Sequence, residues 1–199
     1  MQQEHSKAIV LRSIPFKDNQ KILSLFSEHF GLISLLVKGI SPKKPSTNSL
    51  CELFCEAEFI FSRGNSDLKK FQDGSLLNLH LPLRNKLSYL KTASSMTHAL
   101  LKSQMPETPA PHLYALLSSF LKQIPSFESQ ETLLGCFYLK LLKHEGTYHK
   151  ESFPTSIATK ERELLSALSC IQSFKELKEL SLSTSLFSHL ESSFLSEIS

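Results

Sequence analysis

Residues 22–39, ILSLFSEHFGLISLLVKG, are two short apolar runs joined at His29-Phe30-Gly31. The glycine stands where a tight hairpin needs backbone dihedrals that other residues resist. The second run alternates: Ile33, Leu35 and Val37 share one face, while Ser34, Leu36 and Lys38 share the other. This is a strand hairpin with one buried face. It finishes in Lys38-Gly39 and runs into a proline-stiffened loop, ISPKKPSTN (40–48), that adds Lys43 and Lys44.

The strand pattern extends to both sides of the hairpin. AIVLRS (8–13) reads as a strand that Pro15 ends. In CELFCEAEFIFS (51–62), Cys51, Leu53, Cys55, Ala57, Phe59 and Phe61 alternate with mostly polar neighbours, which predicts a strand with both cysteines on its apolar face. Arg63-Gly64-Asn65-Ser66 is a turn signal, and LKKFQDGSLLNL (68–79) is a fifth strand interrupted near Asp73-Gly74. After Pro82 the period changes to 3.6. Leu113, Leu116, Leu117, Phe120, Leu121 and Ile124 follow the helical template, as do Leu133, Leu134, Phe137, Tyr138, Leu141 and Leu142. A third stripe (Leu164, Leu165, Leu168, Ile171) opens at Thr159 as N-cap, a fourth ends at Phe194, and a thinner one covers 83–104.

The expected fold class is therefore α+β, all-β then all-α. Five strands fill residues 1–80, helices fill 81–199, and no helix precedes Pro82. A five-stranded module of this size is a small barrel or a sandwich. The oligonucleotide-binding (OB) barrel is one option, and periodicity alone does not choose it.

Composition narrows the function classes. No window approaches 18 consecutive apolar residues, so no membrane-spanning helix is expected. The start, MQQEHSKAIV, lacks the pattern of a signal peptide, and a cytoplasmic location is expected. Among 32 serines there is no GxSxG, and the chain holds no GxxxxGK[ST] or GxGxxG, so an enzyme is not expected. No cofactor is implied. The four cysteines form no CxxC pair, and Cys51 and Cys55 read as core residues rather than metal ligands. His144, Glu145, His149 and Glu151 match no compact ligand spacing, with Gly146 ending a helix between them. No bound zinc is expected. The net charge of +3 is unevenly spread: residues 81–150 hold 8 Lys/Arg against 4 acids, whereas 151–199 hold 4 against 7.

The first 90 residues resemble the RecO family of bacterial recombination mediators. The likeness lies in AIVLRSIPFKDNQKILSLFSEHFGLISLLVKG, where that family shows a strand, a polar link and a hairpin closing in Lys-Gly before a basic loop. It continues through the 51–62 strand and LHLPLR (79–84), and FYLKLLKHEG (137–146) is similar to a later family helix. The resemblance implies an N-terminal OB barrel, a helical domain, and a role in DNA repair and recombination. That role is annealing complementary single strands and helping load recombinase onto strands coated by single-stranded-DNA-binding protein. The implied partners are single-stranded DNA, with double-stranded DNA as a further candidate, RecR, and the acidic C-terminal tail of the coating protein. Many members carry four cysteines after the later helix; GTYHKESFPTSIATK here has none.

Lysines on a hairpin end can track phosphates without reading bases, provided they share a face. Lys38, Lys43 and Lys44 are the densest such group, and Arg12, Lys17, Lys21, Arg63, Lys69 and Lys70 join them if the barrel brings the strands together. Ordinary solvated lysines are the plainer reading, and the resemblance favours the DNA face. An acidic tail ending in an aromatic residue needs an apolar hole with cations beside it, and Phe137 with Lys140 and Lys143 is the candidate. An adaptor that joins proteins of the same pathway, with little DNA binding of its own, is the alternative.

Overall fold

In the computed structural model, residues 3–41, 45–62, 67–148 and 158–197 are described. Strands β1 (Gln3–Lys17), β2 (Gln20–Ser27), β3 (Gly31–Lys38), β4 (Glu56–Ser62) and β5 (Leu68–Asn78) close into a barrel in the order β1-β2-β3-β5-β4. Only the β3–β5 pairing is parallel. This is an OB-type barrel, followed in the chain by helices, as expected. The interior is the apolar face read from the sequence: Leu23, Leu25, Ile33, Leu35, Val37, Ala57, Phe59 and Phe61 are all buried. Full burial of each large side chain stabilises the fold by about 1.5–3 kcal/mol.

Four local expectations are corrected. Pro15 does not end β1; the strand runs on to Lys17, with Pro15 paired to Lys21. The pairing of β1 with β4 stops at Ile9, so Pro15 lies where one edge of β1 carries no strand, and its missing N–H costs no ladder bond. The 51–62 strand begins only at Glu56. Residues Pro45–Leu50 form helix α1, which breaks the expectation of no helix before Pro82. Cys51–Phe54 make a turn with Phe54 at φ 66°. Cys51 and Cys55 are nonetheless buried in the barrel core, because backbone hydrogen bonds from Phe54 N to Val10 O and from Val10 N to Cys55 O hold the turn against β1. The interruption in the fifth strand is a bulge: Ile60 pairs with Asp73 and Phe61 with Phe71, leaving Gln72 unpaired.

The chain divides into two compact units, residues 1–84 with 103–121, and residues 85–102 with 122–199. In the first, the segment before helix α3 (Pro111–Gln123) runs against the start of β3. Glu107 N donates to Leu32 O at 2.9 Å, and Pro106 bridges Leu32. Gly31 has φ +63°, and a Cβ there would lie 1.9 Å from Thr108 O, so both the dihedral and the close approach demand glycine. Helix α3 then aims Tyr114 and Ser118 at the buried carboxylate of Glu56, the first residue of β4. Both hydroxyls donate to Oε1, at 2.9 and 2.8 Å. His80 Nε2 lies 3.6 Å from Oε2. The Tyr114 phenol is pushed upward by burial and by the charge of Glu56.

In the second unit, helix α4 (Gln130–Glu145) is buried from Thr132 to Leu139 without a break, as a central helix must be. Ser129 caps its start and Gly146, at φ 74°, its end. Helices α2 (Leu87–Ser103), α5 (Thr159–Cys170), the short α6 (Phe174–Leu177) and α7 (Thr184–Glu197) complete the unit. The α5 N-cap is Ala158 rather than Thr159, and Glu161 accepts from its N–H. Tyr138 stacks on Phe194 with centroids 4.1 Å apart.

The Glu56 cluster makes a measurable prediction. Tyr114→Phe leaves a buried carboxylate oxygen short of a donor and should destabilise the first unit by about 1–3 kcal/mol in urea unfolding. An unchanged midpoint would show that the phenol does not support the carboxylate.

Candidate nucleic-acid interface

The register of the barrel sorts the cations by face. Three rows cross the outer surface of β1, β2, β3 and β5. Arg12 stands beside Ser24, Ser34 and Leu68 in the first. Ile14, Ile22, Leu36 and Lys70 form the second. Lys17, Gln20 and Lys38 form the third. Neighbouring strands are about 4.8 Å apart, so each row is a short ladder, with a cation at one end of the first and second rows and at both ends of the third. Arg12, Lys17, Lys38 and Lys70 are exposed. Between the second and third rows β1 bulges: Pro15 pairs with Lys21 and Lys17 with Gln20, so Phe16 is the extra residue. Phe16 is 50% exposed, and the Lys17 ammonium lies 5.5 Å from its ring centre. Leu36, Lys38, Thr47, Lys70, Phe71 and Gln72 line a shallow pocket of about 270 Å³ on the same outer surface.

Two of the nine expected cations lie elsewhere. Lys69, in register with inward-facing Leu35, is buried and forms an ion pair with Glu107. Lys21 pairs with buried Val37, so it has the parity of the interior face and sits half-exposed, close enough to influence the Cys51 thiol. Lys43, Lys44 and Arg63 lie outside the described residues. Phe16 is the residue that sequence reading missed. Once Pro15 is taken to end the strand, the aromatic beside Lys17 falls into a loop and has no face.

The family model described as "Recombination protein O N terminal" matches residues 1–95. The "DNA repair protein RecO" of Chlamydia trachomatis serovar L2 is 31% identical over 140 residues, which cover 70% of this chain and 57% of the relative. That of Chlamydia pneumoniae is 30% identical over 138 residues, covering 69% and 54%. That of Prosthecochloris aestuarii is 28% identical over 140 residues, covering 67% and 51%. The chain belongs to the RecO family. It spans about half the length of the RecO relatives it matches.

The three residues assigned to a partner tail do not form a groove in this RecO-family chain. Phe137 is fully buried in the core of the helical unit. Lys140 donates to Ile171 O. Lys143, one turn further along α4, lies 3.1 Å from Cys170 Sγ and 5.6 Å from the Tyr148 ring centre. The ring failed as a pocket because α4 is wrapped on nearly every side, a property that a 3.6 stripe understates. Among the described residues no three His, Cys, Asp or Glu side chains gather as a metal site, and His149 and Glu151 lie outside them. No described helix is long and apolar enough to cross a membrane.

Burial governs the thiols. It pushes Cys51 up to about 11, Cys55 to about 12 and Cys136 to about 11, whereas Cys170 is exposed. Only a thiolate reacts, so a disulfide reagent at pH 8 should label Cys170 in the folded protein and the other three only in denaturant. Fast labelling of a second thiol would contradict this burial. Unfolded thiols ionise near 9 and these later. Their contribution to stability is therefore complete below pH 9 and is lost as pH rises toward 11–12.

Proposed function

We propose that this protein is a non-catalytic, DNA-binding mediator of DNA repair that holds single strands on the outer face of its barrel. There it promotes pairing with a complementary strand and assists recombinase loading onto coated strands. The carrying observation is the grouping of exposed Arg12, Lys17, Lys38 and Lys70 at the ends of three adjacent rows. Cations so spaced neutralise successive phosphates without selecting a sequence. Lys43 and Lys44 follow β3 in the chain and Arg63 follows β4, and the proposal keeps all three among the DNA-binding cations. The relatives' name, DNA repair protein, supports the reading, as does a barrel type that serves oligonucleotides in many proteins. RecR and the acidic tail of the strand-coating protein remain the proposed protein partners, at surfaces other than the Phe137 side chain.

The four cations point outward and share no core, so replacing them leaves folding almost untouched. On single strands each phosphate contact releases about 0.7 counterion, so Lys17→Ala, Lys38→Ala and Lys70→Ala together should lower the log–log salt slope of binding by roughly two. The loss should be alike for all DNA sequences and be accompanied by slower annealing of complementary oligonucleotides. A triple variant with the parental slope would remove this face from DNA binding, and no binding by the parent at low salt would favour an adaptor.

A further inference from the structure

The outer face carries more than charge. Of the register shifts in its strands, two fall beside the cations, in β1 at Phe16 and in β5 at Gln72. A bulge re-aims one side chain out of the ladder, and such departures recur beside binding sites. Phe16 is large, aromatic and half exposed, and the Lys17 ammonium lies 5.5 Å from its ring centre, so a π-face and a cation are presented together. Gln72 borders the pocket whose apolar lining is Leu36 and Phe71, whose other polar group is Thr47, and whose cations are Lys38 and Lys70. Its volume of about 270 Å³ is on the scale of a single nucleotide. An apolar lining with hydrogen-bonding groups and two ammonium groups is the chemistry of an unpaired base with a phosphate on either side. The β1 bulge and the pocket strands lie two strand spacings apart, roughly 10 Å, a span that consecutive nucleotides of an extended strand can cover.

We propose that Phe16 and the Leu36–Thr47–Phe71–Gln72 pocket are base subsites: the ring stacks one unpaired base, and the pocket takes another whose phosphates meet Lys38 and Lys70. This rests on the DNA-face reading above and adds the class of nucleic acid selected. A face built of phosphate contacts alone prefers the duplex, where charge is denser. Subsites for base faces reverse that preference, because pairing hides in the duplex the surfaces that stack.

The full chain should be titrated at fixed low salt with an oligothymidine, a base-free (abasic) strand of equal length, and a duplex. The oligothymidine should bind at least five-fold more tightly than the abasic strand, and more tightly than the duplex. Phe16→Ala should weaken oligothymidine binding roughly 5- to 100-fold, the contribution of one stacked base, and leave the abasic strand and the salt slope unchanged. Gln72→Trp, which fills the pocket from an exposed position, should weaken oligothymidine binding in the same selective way. Thermal melting checks that both variants fold. Equal affinity of the parent for oligothymidine and abasic strand, with a steep salt slope, overturns the base subsites and leaves the phosphate face standing. Absence of binding to all three overturns both.

Discussion

The carboxylate of Glu56 is the constraint around which the first unit is arranged. It is 6% exposed, at the first residue of β4, and no buried carboxylate survives without donors. Two hydroxyl donors reach it from Tyr114 and Ser118, one turn apart on α3, and the His80 ring lies 3.6 Å from the other oxygen. Satisfying Glu56 therefore fixes where α3 lies and which of its faces turns inward. The chain just before that helix is held as well. Glu107 hydrogen-bonds the start of β3 and pairs with Lys69, and Thr108 crosses so close to Gly31 that no side chain fits. One internal charge thus organises a strand, a helix and a turn.

The outer face of β1, β2, β3 and β5 is left free by that arrangement. The interior is filled by Leu, Ile, Val and Phe, and the buried polar groups of Lys69 and Glu56 find partners on α3 and the segment before it. The outward positions then carry little structural duty, and a cation, a serine or an aromatic serves equally well for folding. The bulges at Phe16 and Gln72 fit the same division. Each adds a residue to a strand without changing what faces the core.

How much of this was legible depended on the range of the interactions involved. Strand faces are local properties, and the alternation of Ile33, Leu35 and Val37 against Ser34, Leu36 and Lys38 gave both the core side and the outward course of Lys38. The α4 stripe was equally plain, and Gly146 as its end followed from one residue. Lys69 could not be read correctly. It looks like its neighbour Lys70, and only the partner Glu107, 38 residues away, explains why one points in and the other out. Glu56 likewise looked like a polar spacer between apolar strand positions, because its donors come 58 and 62 residues later. Pro15 misled for the opposite reason. Proline is excluded from central strands, but the second edge of β1 is unpaired beyond Ile9, so the strand continues through Pro15 and carries Phe16 with it. Thr159 as a cap failed because a glutamate at the third position can serve the N–H of an alanine.

The attachment of α3 to the barrel has a consequence for the order in which the chain matures during synthesis. The last barrel strand is complete by Asn78, yet the donors to Glu56 arrive only with residues 114 and 118. Residues 85–102 belong to the other unit and are made in between. At roughly 5–20 residues per second, the 37 residues from 85 to 121 take about 2–7 s to translate. Through that interval the nascent barrel has all its strands and none of its α3, with Glu56 still hydrated and the surface that α3 covers still open. The vectorial order of synthesis therefore separates strand closure from sealing, and it leaves a half-finished barrel for ribosome-bound chaperones to guard.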